Sequence, residues 1–111
     1  MSRVRRWLSL FRVNIAPKQL PMSIRVIQAS GFVRAYKRLH NNQKNAVDAA
    51  VAVIVLQPEA GQAKRGDLAG VFVYKFDCVH QAYLLAYEYD PQTRVLLLVG
   101  AHENFYRNLK R

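Results

Sequence analysis

The apolar residues of this chain change their period once, near residue 70, and few folds accommodate such a change. Upstream they recur every three to four residues. Phe32, Ala35, Tyr36 and Leu39 fall at helical spacing with Arg34, Lys37 and Arg38 between them, and Val47, Ala50, Val51, Ile54 and Val55 form a second stripe of the same kind. Ser30 is placed to cap the first helix and Asn41 or Asn42 the second. The second must end before Pro58, because the residue preceding a proline avoids the helical well. Downstream the period is two. Phe72, Tyr74 and Phe76 alternate with Val71, Val73 and Lys75, and Tyr83, Leu85, Tyr87 and Tyr89 alternate with Ala82, Leu84, Ala86 and Glu88.

These two alternating runs form a hairpin turning near Asp77, Cys78, Val79 and His80. A proline turn at Asp90–Thr93 leads into Val95–Val99, which is apolar on both faces and reads as an interior strand. Ser23–Gln28 supplies a first strand, residues 57–70 a glycine-rich surface loop, and His102–Arg111 a short basic helix or tail. The order β-α-α-β-β-β predicts an α+β domain, an antiparallel sheet with a helical hairpin on one face. The other face, lined by Val73, Lys75, Leu84 and Ala86, is expected to stay open.

Charge narrows the partner. The 111 residues carry 17 Lys+Arg against 7 Asp+Glu, a net charge of +10. Residues 1–21 hold Arg3, Arg5, Arg6, Arg12 and Lys18 and no acid, so twelve basic residues face seven acidic ones from Met22 onward. A surplus of that size on one small domain favours a polyanion, either nucleic acid or an acidic protein segment. Residues 1–21 are read as a poorly ordered basic extension ahead of a domain spanning 22–111, with translation starting at Met1 or Met22. A membrane-surface or targeting helix and a nucleic-acid arm are the competing readings of this stretch. Cys78 is the only cysteine, which excludes an internal disulfide and a cysteine zinc site. No apolar run approaches the ~18 residues of a membrane span. A cytoplasmic protein without a membrane partner is expected.

Catalytic signatures of nucleotide hydrolysis, dinucleotide binding, zincins and serine hydrolases are missing from the sequence, and Tyr106 stands where a zincin would carry its second histidine after His102-Glu103. No metal and no cofactor are expected. The residues that remain are His102, Tyr106 and Lys75, with Lys64, Arg65 and His80 near them if the open face exists as drawn. Such a set suits RNA scission through the 2′-OH: an imidazole to move a proton, cations to hold the phosphorane charge, and an aromatic ring to stack a splayed base. Each has a plainer role. His102 can cap a helix, His80 can be a solvated turn residue, Lys75 a solvated sheet edge and Tyr106 core packing.

The stretches GDLAGVFVYKF, YLLAYEYD and LLLVGAHENFYRNLKR resemble the C-terminal half of the RelE/ParE superfamily of bacterial type II toxins, and FVRAYKRLHNNQKNAVDAAV resembles its helical hairpin. The ending HENFYRNLKR is its most specific part, typical of a RelE-like subgroup. The resemblance implies a microbial-ribonuclease-like fold, an mRNA interferase that cuts mRNA at the ribosome and inhibits translation, and a cognate antitoxin that wraps and inhibits it in a hetero-oligomer. By position it assigns Lys75, His102 and Tyr106 to catalysis. Lys64, Arg65, His80, Arg107, Lys110 and Arg111 are read as RNA contacts from their own basic side chains. Leu84 departs from the pattern, standing where many ribosome-dependent members place a phosphate-binding arginine. That gap leaves open a ParE-like gyrase inhibitor without nuclease chemistry, or a decayed toxin acting as a binding protein.

Overall fold

A computed structural model describes residues 24–109. The leading segment over 1–21 lies outside these residues, as do Lys110 and Arg111. Strand β1 (Arg25–Gln28) runs into helix α1 (Ser30–Lys37), and a short link leads to α2 (Asn41–Leu56). A two-residue strand β2 (Gln62–Ala63) follows, then β3 (Phe72–Asp77), β4 (Ala82–Asp90), β5 (Thr93–Ala101) and α3 (His102–Leu109). Among the described residues no helix is long and apolar enough to cross a membrane.

Both helices form where the periodicity places them, but their caps move by one residue. Ala29 rather than Ser30 stands at the first N-cap, with no side-chain bond. His40 rather than an asparagine begins the second, its backbone N–H donating to Gln43 Oε1 at 2.9 Å in a reciprocal capping arrangement.

The sheet order is β1-β5-β4-β3-β2, antiparallel from β2 to β5, with β1 added in parallel along the first half of β5. The α1–α2 segment makes that parallel return possible, since parallel neighbours need a long connection. β4 and β5 slip register between Ala86 and Tyr87, which pair with Leu98 and Leu96 and leave Leu97 as the extra residue. The slip breaks alternation on β5. Leu96 and Val99 face the helical hairpin while Leu97 and Leu98 both join the opposite face. Past Leu96 the outer edge of β5 is met by α1. A side chain at Gly31 would come within 3.2 Å of the Leu97 carbonyl, so glycine lets the helix close on the strand.

Two apolar layers result. Phe32, Val47, Val51 and Ile54 pack on Leu85, Tyr87, Leu96 and Val99 on the hairpin side, as the alternation predicts. The second face is not open. Phe105 from α3, 1 % exposed, is seated on Val71, Val73, Leu84 and Ala86, with Leu68 and Leu109 at the margins. Burying one phenyl ring contributes about 2–3 kcal/mol, and an uncovered apolar strip on β3 and β4 would forgo it. Of the four residues expected on the open face, only Lys75 is exposed.

Arg94 ties the sheet to the hairpin. It is 4 % exposed, and its guanidinium donates to the carbonyls of Ile54, Val55 and Asp90 at 3.2, 3.0 and 2.7 Å. Those of Ile54 and Val55 are among the last carbonyls of α2, which have no partner inside the helix and carry its negative dipole end. Burial lowers the guanidinium's pKa and nearby Asp90 opposes that, but arginine keeps its charge.

Candidate functional site

Lys64 reaches its place through a chain of backbone restraints. Tyr87, fully buried, donates its hydroxyl to the Pro58 carbonyl at 2.6 Å and accepts from the Gly61 N–H at 2.8 Å, pinning the loop after α2 to the middle of the sheet. β2 then pairs with Phe72 and Val73, and Lys64 N–H donates to the Val71 carbonyl at 2.9 Å. The Lys64 ammonium lies 5.1 Å from the centroid of the Tyr106 ring, within cation–π range, and donates to Gln62 Oε1 at 3.3 Å.

Helix α3 supplies the rest. His102 and Tyr106 are one turn apart on it, with ring centroids 6.4 Å apart and an edge-on geometry. Tyr106 also meets buried Phe105 edge-on at 5.5 Å, so the core anchor holds the half-buried tyrosine in place. His102 is exposed in the first turn of the helix. Lysine, tyrosine and histidine therefore follow one another across one surface.

Lys75 stands on this same face by register. It pairs with Leu84, which pairs with Gly100, two residues before His102. Two strand spacings put Lys75 about 10 Å across the sheet from Gly100. Gly100 has no side chain, and a Cβ there would meet Phe105 at 3.9 Å. Between Lys75 and the start of α3 lie Leu84, covered by Phe105, and the bare backbone of Gly100. Leu84, at 3 % exposure, lies beneath Phe105 in the covered layer. An arginine at 84 would have to emerge from under that ring.

The remaining candidates separate. The side chains of Arg65 and Arg107 are exposed and make no hydrogen bond or ring contact among the described residues, so Lys64 rather than Arg65 joins the cluster. His80 is exposed at the tip of the β3–β4 hairpin, at the end of the sheet where α3 begins. Cys78 is buried, its Sγ donating to the Gln43 carbonyl at 3.8 Å. Burial, reinforced by Asp77, pushes its thiol up and disfavours a thiolate nucleophile. Sequence reasoning assigned no role to Arg94 and treated Tyr87 only as a strand former. A tyrosine flanked by apolar strand residues carries no sign of a loop partner some thirty residues away.

A concavity of about 620 Å³ lies between α1 and α3. Arg34 and Arg38 line it together with Leu68, Leu98, Asn108 and Leu109.

Residues 26–110 match the family described as the ParE-like toxin of type II bacterial toxin–antitoxin systems. The chain belongs to that family. Among solved structures this ParE-like toxin is similar to a chain of the toxin–antitoxin complex RelBE2 from Mycobacterium tuberculosis. Identity there is 24%, the match covers 72% of this chain and 99% of that one, and the TM-score is 0.55. It is also similar to the E. coli toxin RelE in the free state, a variant with two arginines replaced by alanine. Identity is 13%, coverage 74% and 86%, and the TM-score 0.58. Both likenesses are of fold. No curated protein sequence matches this chain. The toxin family and the mixed α+β architecture expected from the HENFY ending and the helical hairpin are thereby established.

Chemically, the cluster offers an imidazole, an aromatic platform and the Lys64 ammonium, with the Lys75 ammonium on the same face, groups suited to phosphate and base contacts. Among the described residues no three His, Cys, Asp or Glu side chains converge as a metal site.

Proposed function

We propose that this chain is an endoribonuclease toxin that cuts mRNA, on the ribosome, by attack of the ribose 2′-OH on the adjacent phosphate. The observation that carries the reading is the contiguity of Lys64, Tyr106 and His102 on the face that also bears Lys75. Tyr106 stacks a splayed base or orients the ribose, and Lys64 and Lys75 hold the non-bridging oxygens as charge builds in the phosphorane. His102 acts as base toward the 2′-OH or as acid toward the departing 5′-oxygen. The bond made is 2′-O to phosphorus and the bond broken is phosphorus to 5′-O. The products are a 2′,3′-cyclic phosphate and a 5′-hydroxyl. The second proton is exchanged with solvent, since among the described residues no second imidazole contacts the cluster. No metal or cofactor enters this scheme.

A cognate antitoxin in a hetero-oligomer is the expected protein partner in the cytoplasm. The basic surface, including Arg34 and Arg38 at the α1–α3 concavity, suits an acidic inhibitor.

Induction from a tight promoter should arrest growth and translation, with new transcript 5′ ends. The double variant His102→Ala/Tyr106→Phe should relieve the arrest, and toxicity at the wild-type level from it would remove the chemistry assigned here. One observation favours a second reading. The apolar, covered position of Leu84 leaves β4 without a phosphate-binding arginine, as in a gyrase-directed toxin that acts by binding alone. That reading predicts a DNA-damage response with intact transcripts.

A further inference from the structure

The β3–β4 turn breaks a local rule with no structural compensation. Cys78 and Gln81 exchange backbone hydrogen bonds at 2.7 and 3.3 Å, closing a two-residue connection. Both central residues have positive φ, 53° at Val79 and 66° at His80. That handedness matches strand twist, and sequences normally meet it with asparagine and glycine. A β-branched residue there is a genuine outlier. Neither side chain repays the strain inside the fold. Val79 is 43 % exposed, and His80 is exposed and makes no hydrogen bond or ring contact among the described residues.

Strain of this kind concentrates where side chains must be displayed for use. The turn stands at the end of the sheet where α3 begins. Asp77 pairs with Ala82 and Tyr83 with Ala101, so the tip stands beyond the row from which the chain passes into His102. Lys75 lies two residues before Asp77 on the same strand. We infer that Val79 and His80 form a base-reading tip of the RNA site, a flat imidazole flanked by an aliphatic wedge that stacks on an unpaired nucleobase next to the scissile bond. The Asp77 carboxylate at the root of the turn repels a phosphate, which favours contact with a base over contact with the backbone. This inference rests on the nuclease reading above, and it adds to the Lys64–Tyr106–His102 cluster a second base contact, with the modest preference that differences in stacking strength give.

The test uses the full chain acting on a defined mRNA bound to bacterial ribosomes, with cleavage ends mapped and thermal melting measured alongside. Val79→Asn/His80→Gly installs the favoured turn. It should melt higher, by on the order of 5 °C, yet cut about tenfold more slowly or with altered base preference at the cut site. His80→Asn, comfortable at positive φ but without a ring, should show the same loss, and His80→Phe should restore rate and preference. Equal or lower melting of the double variant overturns the strain argument. Higher melting with wild-type rate and sites overturns the base contact, as does failure of His80→Phe to restore either. A wild-type chain that cuts no RNA overturns the nuclease reading itself, and the base contact with it.

Discussion

Replacing Tyr87 with phenylalanine tests whether one buried hydroxyl positions the functional loop. The ring stays, with its burial and its stacking on Phe72 at 5.9 Å, so no void larger than an oxygen atom opens. What disappears is a donor to the Pro58 carbonyl and an acceptor for the Gly61 N–H. Each hydrogen bond is worth about 1 kcal/mol net, and the two orphaned backbone groups add part of a desolvation penalty. The sum is about 2–3 kcal/mol, or roughly 10–20 °C in melting temperature for a domain of this size. Urea unfolding at unchanged slope would give the value directly. Tyr89→Phe is the control, since that hydroxyl makes no hydrogen bond among the described residues. Because the same loop delivers Lys64 to Tyr106, the RNA cleavage proposed above should also weaken more in the Tyr87 variant than in the control. A loss under about 0.5 kcal/mol, or one no larger than that of Tyr89→Phe, would refute the claim that this hydroxyl holds the loop.

Arg94→Met should destabilise by about 3 kcal/mol, because it strips the Ile54 and Val55 carbonyls of their buried donor. A chemical denaturation midpoint close to wild type would contradict that. Leu84→Arg should unfold the second layer rather than raise activity, at a cost of about 3 kcal/mol or more for a charge placed beneath Phe105. A stable, more toxic variant would show that the side chain escapes to the surface. Burial raises the Cys78 thiol and the Tyr83 and Tyr87 phenols above their ordinary values of 9.0 and 10.0. The folded chain therefore keeps protons that the unfolded chain releases, and stability is full below about pH 9 and falls as pH rises further. A flat stability profile from pH 7 to about pH 10.5 would be inconsistent with those three burials.

Much of the site was legible in one respect and opaque in another. His102 and Tyr106 are four residues apart at the start of a helix, so their adjacency follows from local geometry. The partnership of Lys64 with Tyr106 does not. It depends on Tyr87 pinning a loop and on β2 pairing with β3, neither of which leaves a periodic trace. Leu84 was misread for a related reason. Alternation correctly placed it opposite Leu85, but which face is covered depends on where Phe105 lands. The basic residues around that phenylalanine, Arg107 and Lys110, disguise α3 as a solvated tail.

The sequence by itself determined the two helices, the long strands, the α+β class and the family, because period and turn chemistry act over a few residues and the HENFY ending is read directly. Tertiary structure alone decided that β1 returns parallel to β5, that a bulge at Leu97 turns two successive leucines to one face, and that α3 closes the second face. It also decided which cation meets the tyrosine. Those outcomes are set by which apolar surfaces find each other across the sheet, and burial of that kind has no range limit along the chain and no local signature.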